Sequence, residues 1–121
     1  GHPSAPIGAY TERFFASLQQ HMGKSFVNSI RARIVSREKN VRLVRAKVAM
    51  GIADAAIIYV TDAIDHAKLS SLPLSKKLTT PAHYHIGLHK NASEQGRLWY
   101  DFVQSDDSKK VLKAAGFEVA Y

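Results

Sequence analysis

The sequence predicts an α/β fold, and three observations point to it. Apolar residues recur at helical spacing in several segments, separated by caps and glycines. One short run, Ala55-Ala56-Ile57-Ile58-Tyr59-Val60, is apolar on both faces, as strands buried inside parallel sheets are. Helix-like and strand-like segments also alternate along the chain, the pattern of helices covering a central sheet.

Each element has its own signal. Pro6 suits a first helical turn, with Ser4 before it as a cap. Ala9, Tyr10, Phe14, Phe15 and Leu18 carry the helix to about His21, and Gly23 ends it. Phe26, Val27 and Ile30 fit a further short helix or a loop, and residues 31–36, RARIVS, alternate as a short strand does. Asn40 is a good N-cap for a helix that turns Val41, Val44, Val48 and Ala49 inward, and Gly51 stops it.

The buried strand at residues 55–60 follows, and Thr61 and Asp62 cap a turn after it. Residues 68–73 offer a weaker strand, 75–81 a polar loop and 82–88 another strand. Leu98, Trp99, Phe102 and Val103 mark a helix over residues 93–104. Ser105 caps a last one with Val111, Leu112 and Ala115, ended by Gly116.

Composition narrows the function classes. With 121 residues, 45% of them hydrophobic and 22% charged, the chain has the material for its own core and lacks the signature of disorder. The longest apolar run is far too short to span a bilayer. Gly1-His2-Pro3-Ser4 has no basic head or apolar stretch of an export signal, as would also hold for a fragment of a longer precursor. The absence of Cys excludes thiol catalysis, disulfides and thiolate metal sites.

Lys and Arg number 17 against 10 Asp and Glu, a net charge of +7. Arg31, Arg33, Arg37, Lys39, Arg42, Arg45 and Lys47 form a basic cluster, either a solvated face or a docking surface for a polyanion. No aromatic residue interleaves it, so base stacking has no platform there and nucleic acid is disfavoured as a partner.

Residue chemistry offers three kinds of candidate site. Helix starts at Pro6-Ile7-Gly8 and at Asn40-Val41-Arg42 expose free N–H groups and the positive end of the helix dipole, which attract anions. Tyr59 closes the buried strand, where α/β sheets bind ligands, and its phenol can donate to an oxyanion; equally it can pack at a sheet edge. His83, His85 and His89 share a strand face and could meet a metal. No carboxylate lies nearby in sequence to orient them, and no metal site is assigned. Asp54, Asp62 and Asp65 have no nucleophile or base partner. Nothing resembles a phosphate loop or nucleophile elbow, so no enzyme is expected.

Several of these residues carry a resemblance. Asn40-Val41-Arg42, Ala46-Lys47-Val48, Gly51-Ile52-Ala53-Asp54-Ala55 and Ile58-Tyr59-Val60-Thr61-Asp62-Ala63 resemble the molybdate-binding proteins of bacterial ABC importers. Gly1, Pro3, Pro6, Gly8 and Tyr10 are similar to that family's first helix start. Tyr84 through Leu88, Phe102-Val103 and Gly116-Phe117 continue the likeness.

The resemblance implies a type II periplasmic-binding-protein lobe, a central sheet flanked by helices. Residues 1–82 would be the second lobe; residues 83–121 would be a crossover strand and C-terminal helices that pack on a first lobe preceding position 1. It implies molybdate or tungstate as ligand, no cofactor, a membrane ABC permease as partner and a periplasmic location. The ligand donors would be the Ile7 N–H, the Val41 N–H and the Tyr59 hydroxyl. Ile7 stands for the family's usual Ala, His85 for a Pro and Gly87 for an Ala.

With the first lobe absent, the chain is expected to form a half-site with weak molybdate affinity. It is also expected to dimerise through the C-terminal helices bearing Leu98, Trp99, Phe102, Val111 and Leu112. The rival readings are a basic module for nucleic acid or an acidic partner, and a binding protein for sulfate or another anion.

Overall fold

Local capping explains where the helices lie. The computed structural model describes residues 1–64 and 66–119. Among them are six helices: α1 (Pro6–Met22), α2 (Lys24–Arg31), α3 (Val41–Ala49), α4 (Val60–Ala63), α5 (Glu94–Val103) and α6 (Asp106–Ala114). Three of them start on a side-chain cap. Asn40 Oδ1 accepts from the Leu43 N–H at 3.0 Å, Ser93 Oγ from Gly96 at 3.2 Å and Ser105 Oγ from Ser108 at 3.2 Å. Each such cap satisfies one N–H that the helix itself leaves open. Gly51, just past α3, takes a φ of 71°, which lets its N–H turn back onto the Val48 carbonyl at 2.9 Å.

The start of α1 differs from expectation. Its N-cap is Ala5, whose methyl side chain cannot cap, and Ser4, one residue earlier, hydrogen-bonds through its hydroxyl to His2 Nδ1 at 2.7 Å. Pro6 does occupy the first turn. Phe26, Val27 and Ile30 belong to a helix, α2, rather than a loop.

The predicted α/β class is overturned. Among the described residues there is no strand and no sheet; the fold is helical. Residues 55–59 run without helical or ladder structure into α4, and Tyr59, extended at φ −75° and ψ 151°, is the N-cap of that helix rather than a strand end. Residues 31–36, the first of which ends α2, and residues 68–73 and 82–88 likewise form no ladder. The physical reason is that a strand exists only through a paired edge, and hydrophobic patterning cannot supply the edge. A strand buried on both faces also needs cover on both, whereas Ala55 and Ala56 are exposed. Without a central sheet, the lobe architecture implied by the resemblance is not the architecture of this chain.

The chain divides into two compact units, residues 1–81 and 82–121. In the first, α1 packs against α2, and α3 against α4. Its core is small: Ala5, Ile7, Phe15, Val27 and Val44, with Val27 fully buried. Thr11 is buried among them and donates its hydroxyl to the Ile7 carbonyl at 2.7 Å, so it adds no unsatisfied polar group.

In the second unit α5 packs on α6, and Tyr84 meets Phe117 edge to face with ring centroids 5.6 Å apart. Asp106 and Asp107 sit in the first turn of α6, where they complement the helix dipole and pair with Lys109 and Lys110 at 3.2 and 3.0 Å. No helix among the described residues is long and apolar enough to cross a membrane.

Candidate ligand-binding site

The two helix starts singled out in the sequence both lie in the first unit, and each has backbone N–H groups with no acceptor inside its own helix. In α1 the first intrahelical bond is Ala9 N–H to the Ala5 carbonyl at 3.0 Å, so the N–H groups of Ile7 and Gly8 have no acceptor within the helix. Ile7 is 3% exposed and locks this turn into the core. In α3 the first such bond is Val44 to Asn40 at 3.3 Å, and Asn40 caps Leu43. The Val41 and Arg42 N–H groups likewise have no acceptor within the helix.

A backbone bridge ties the two starts together. The His2 N–H donates to the Glu38 carbonyl at 2.6 Å, and the His2 carbonyl accepts from the Ala5 N–H at 2.9 Å. The segment just before α3 is thereby held against the segment just before α1. Gly8 makes this approach feasible, because a side chain at that position would collide with the His2 carbonyl.

Tyr59 reaches the same helix by another route. Its ring lies edge to face against Tyr10, with centroids 6.2 Å apart and planes at 78°. Tyr10 is one turn beyond Ile7 on α1. Arg45 of α3 donates to the Asp62 carbonyl in α4 at 3.3 Å, which holds the helix that Tyr59 caps beside α3. All three candidate residues therefore belong to one packed unit, with α1 in contact with Tyr59 and bridged to the start of α3. Sequence reasoning picked out Ile7, Val41 and Tyr59 but not the contacts that tie their neighbourhoods together. Tyr10, Arg45 and His2 make these, and all three contacts span distant parts of the sequence.

The basic cluster is largely committed to internal pairs. Glu12 on α1 receives Arg31 at 2.5 Å and Arg37 at 3.0 Å, and Arg31 also lies over the Phe15 ring at 4.8 Å. The Arg31 hydrogen bond holds the Glu12 carboxyl below its ordinary pKa, with Arg37 adding to the effect against partial desolvation. Lys47 pairs with Glu38 at 3.6 Å. Glu38 also accepts from the Ser36 hydroxyl, the main cause of its lowered pKa, and the Lys47 charge adds to it. Arg33, Lys39 and Arg42 are exposed.

The histidines at 83, 85 and 89 are exposed, and His89 Nδ1 accepts from the Asn91 N–H at 3.2 Å. Among the described residues no group of three or more His, Cys, Asp or Glu gathers as a metal site would require. Asp65 lies outside the described residues. Asp54 is exposed, and Asp62 lies in the first turn of α4, its N–H donating to the Tyr59 carbonyl at 3.0 Å.

Backbone N–H groups at two helix starts and a Tyr in contact with one of those helices are the chemistry of a site that holds a ligand. Comparison with known sequences sharpens that reading. Residues 1–118 match the bacterial extracellular solute-binding protein family, and the chain belongs to it. This is a family of binding proteins, not of enzymes. The chain is also similar to YvgL of Bacillus subtilis (strain 168), which bears the name of an ABC transporter substrate-binding lipoprotein. The two are 31% identical over 117 residues, which cover 94% of this chain and 42% of YvgL. The chain thus spans less than half the length of that relative. No solved structure matches it significantly.

Proposed function

We propose that the chain forms one side of the binding site of an extracytoplasmic solute-binding protein that captures a tetrahedral oxyanion, molybdate or tungstate, and delivers it to a membrane ABC permease. The family match over residues 1–118 supports the solute-binding role, and the name of YvgL supports the importer partner and the location outside the cytoplasm. The observation that carries the oxyanion reading is the grouping in one unit of two helix starts, whose first N–H groups have no acceptor within the helix, and a Tyr in contact with one of those helices.

In this reading the Ile7 N–H, the Val41 N–H and the Tyr59 hydroxyl donate to the ligand. The two backbone N–H groups can donate but not accept, so they favour a dianion over a protonated oxyanion, whose own O–H they would leave unmatched. The remaining donors come from outside this chain, so the isolated chain binds weakly: an oxyanion stripped of water by half its hydrogen bonds gains little. A second copy joined through α5 and α6 is one source of cover for the exposed apolar side chains of those helices.

The test is a titration of the 15N-labelled chain with molybdate, tungstate and sulfate at moderate salt, read by amide chemical shifts. Saturable shifts centred on Ile7, Gly8, Val41 and Arg42, reduced in Tyr59→Phe, support the reading. Equal response to sulfate moves the assignment to a general anion site. Shifts confined to Arg33, Lys39 and Arg42 and abolished by salt would replace it with a basic docking surface.

A further inference from the structure

The Tyr10–Tyr59 contact has a consequence for the geometry of the site. Tyr59 caps a helix of four residues, α4, that has no buried residue of its own. So short a helix makes a weak platform for a phenol that must meet an anion at a defined angle. The Tyr10 ring, by contrast, rises from the first turns of the 17-residue helix α1, whose start is pinned by buried Ile7, by the Thr11 hydroxyl on the Ile7 carbonyl and by buried Phe15.

Tyr10 meets Tyr59 at 78°, the edge-to-face arrangement that ring quadrupoles favour, and so restrains both position and tilt. The Tyr10 ring also meets Arg13, whose guanidinium carbon stands 5.4 Å from its centroid. A cation on an aromatic face in turn limits the freedom of Tyr10 itself.

We infer that Tyr10 is a positioning residue: it sets the Tyr59 phenol relative to the Ile7 N–H, one turn away on the same helix. The inference rests on the oxyanion reading for its functional meaning but not for its structural content. A single helix then carries one ligand donor in its backbone and, through a ring, fixes the second.

The experiment has a ligand-free arm and a ligand arm, both on the 121-residue chain. In the first, three-bond couplings about χ1 of Tyr59 are measured in wild type, Tyr10→Phe and Tyr10→Ala. A single rotamer in wild type and Tyr10→Phe, averaged in Tyr10→Ala, supports the inference. A fixed Tyr59 in Tyr10→Ala overturns it, whatever the ligand does.

In the second arm molybdate is titrated into the same proteins and into Tyr59→Phe. Tyr10→Ala is expected to weaken binding about fivefold, the loss of one aromatic pair, and to have no further effect in the Tyr59→Phe background. Tyr10→Phe, which keeps the ring, is expected to bind as wild type and guards against misfolding as the explanation. Normal affinity in Tyr10→Ala alongside weakened Tyr59→Phe also overturns it. A wild-type chain blind to molybdate would refute the oxyanion reading, and the coupling data would still decide the role of Tyr10.

Discussion

The carbonyl oxygen of His2 lies so close over Gly8 that a Cβ built there would stand 1.9 Å from it. Helix propensity alone favours Ala over Gly by about 1 kcal/mol in a helix interior. Steric overlap with fixed backbone works the other way. His2 is held from both sides, by Glu38 and by Ala5, so it cannot retreat without breaking a hydrogen bond.

Gly8→Ala is therefore expected to destabilise the chain by about 1–3 kcal/mol, the usual cost of overpacking. Urea unfolding followed by circular dichroism measures it. A stabilised variant would mean that propensity wins and that the His2 bridge is loose in solution.

The Asn40 cap makes a separate prediction. Asn40→Ala removes the acceptor for the Leu43 N–H and is expected to cost about 1 kcal/mol, read as a lowered thermal midpoint. Asn40→Asp keeps an acceptor and adds a negative charge near the helix N-terminus, so it should retain stability. In the oxyanion reading that same charge repels the ligand. Asn40→Asp should then bind molybdate less well than wild type while melting no earlier.

Glu12 gives the chain an acid-sensitive pair of links. Its folded-state pKa is lowered, chiefly by the Arg31 hydrogen bond, so its contribution is present above the unfolded-state value near 4.5 and lost as pH falls through the folded value. The side chains of Glu12, Arg31 and Arg37 are each about a third exposed, which screens the attraction. Glu12→Gln should cost no more than about 1 kcal/mol at neutral pH. The telling measurement is stability against pH: wild type should lose more than Glu12→Gln between pH 5 and the acid limb. Parallel curves would show that these ion pairs contribute nothing measurable.

Phe15 tests whether so small a core is cooperative. It is buried, packs on Phe14 and lies under the Arg31 guanidinium. Phe15→Ala is expected to cost about 3–5 kcal/mol, a large fraction of what a small unit possesses. Loss of dispersed amide signals in residues 1–81, with residues 82–121 unchanged, would identify the two units as independent in stability. An unperturbed spectrum would show that the core tolerates the cavity.

What was legible in the sequence and what was not divide along a physical line. Asn40, Ser105 and Gly51 were readable because a cap or a stop depends on residues within a few positions. Ser4 misled because the N-cap falls one residue later, on Ala5, and the Ser4 hydroxyl bonds to His2 Nδ1 instead. The strands failed because residues 55–60 carry a strand's apolar pattern without a neighbouring edge in this chain, so Tyr59 ends as a helix cap. Of the candidate site, the helix starts at residues 6–8 and 40–42 were readable from local signals, and the resemblance supplied Ile7 and Val41 as the proposed donors. The Tyr10–Tyr59 contact could not, since it joins residues 49 positions apart and leaves no periodic trace.

The second unit supports the last prediction, self-association. α5 leaves Leu98, Trp99 and Phe102 more than half exposed, at 63%, 61% and 56%, and α6 leaves Val111 at 68%. Leu98 and Phe102 are four apart and Trp99 and Phe102 three apart, so the three share one side of α5. Apolar side chains gathered in this way favour association, and aromatic residues contribute most of the energy in such contacts. Charge opposes it, since each copy carries a net +7, so added salt should strengthen the effect. Sedimentation velocity over a range of concentrations is expected to show a rising mass that approaches two copies. Trp99→Glu with Phe102→Glu should remain monomeric at the same concentrations while keeping its helical circular dichroism, because both positions are exposed in the chain itself. A wild type that stays monomeric at high concentration and high salt would refute the dimer and leave this face to a different partner.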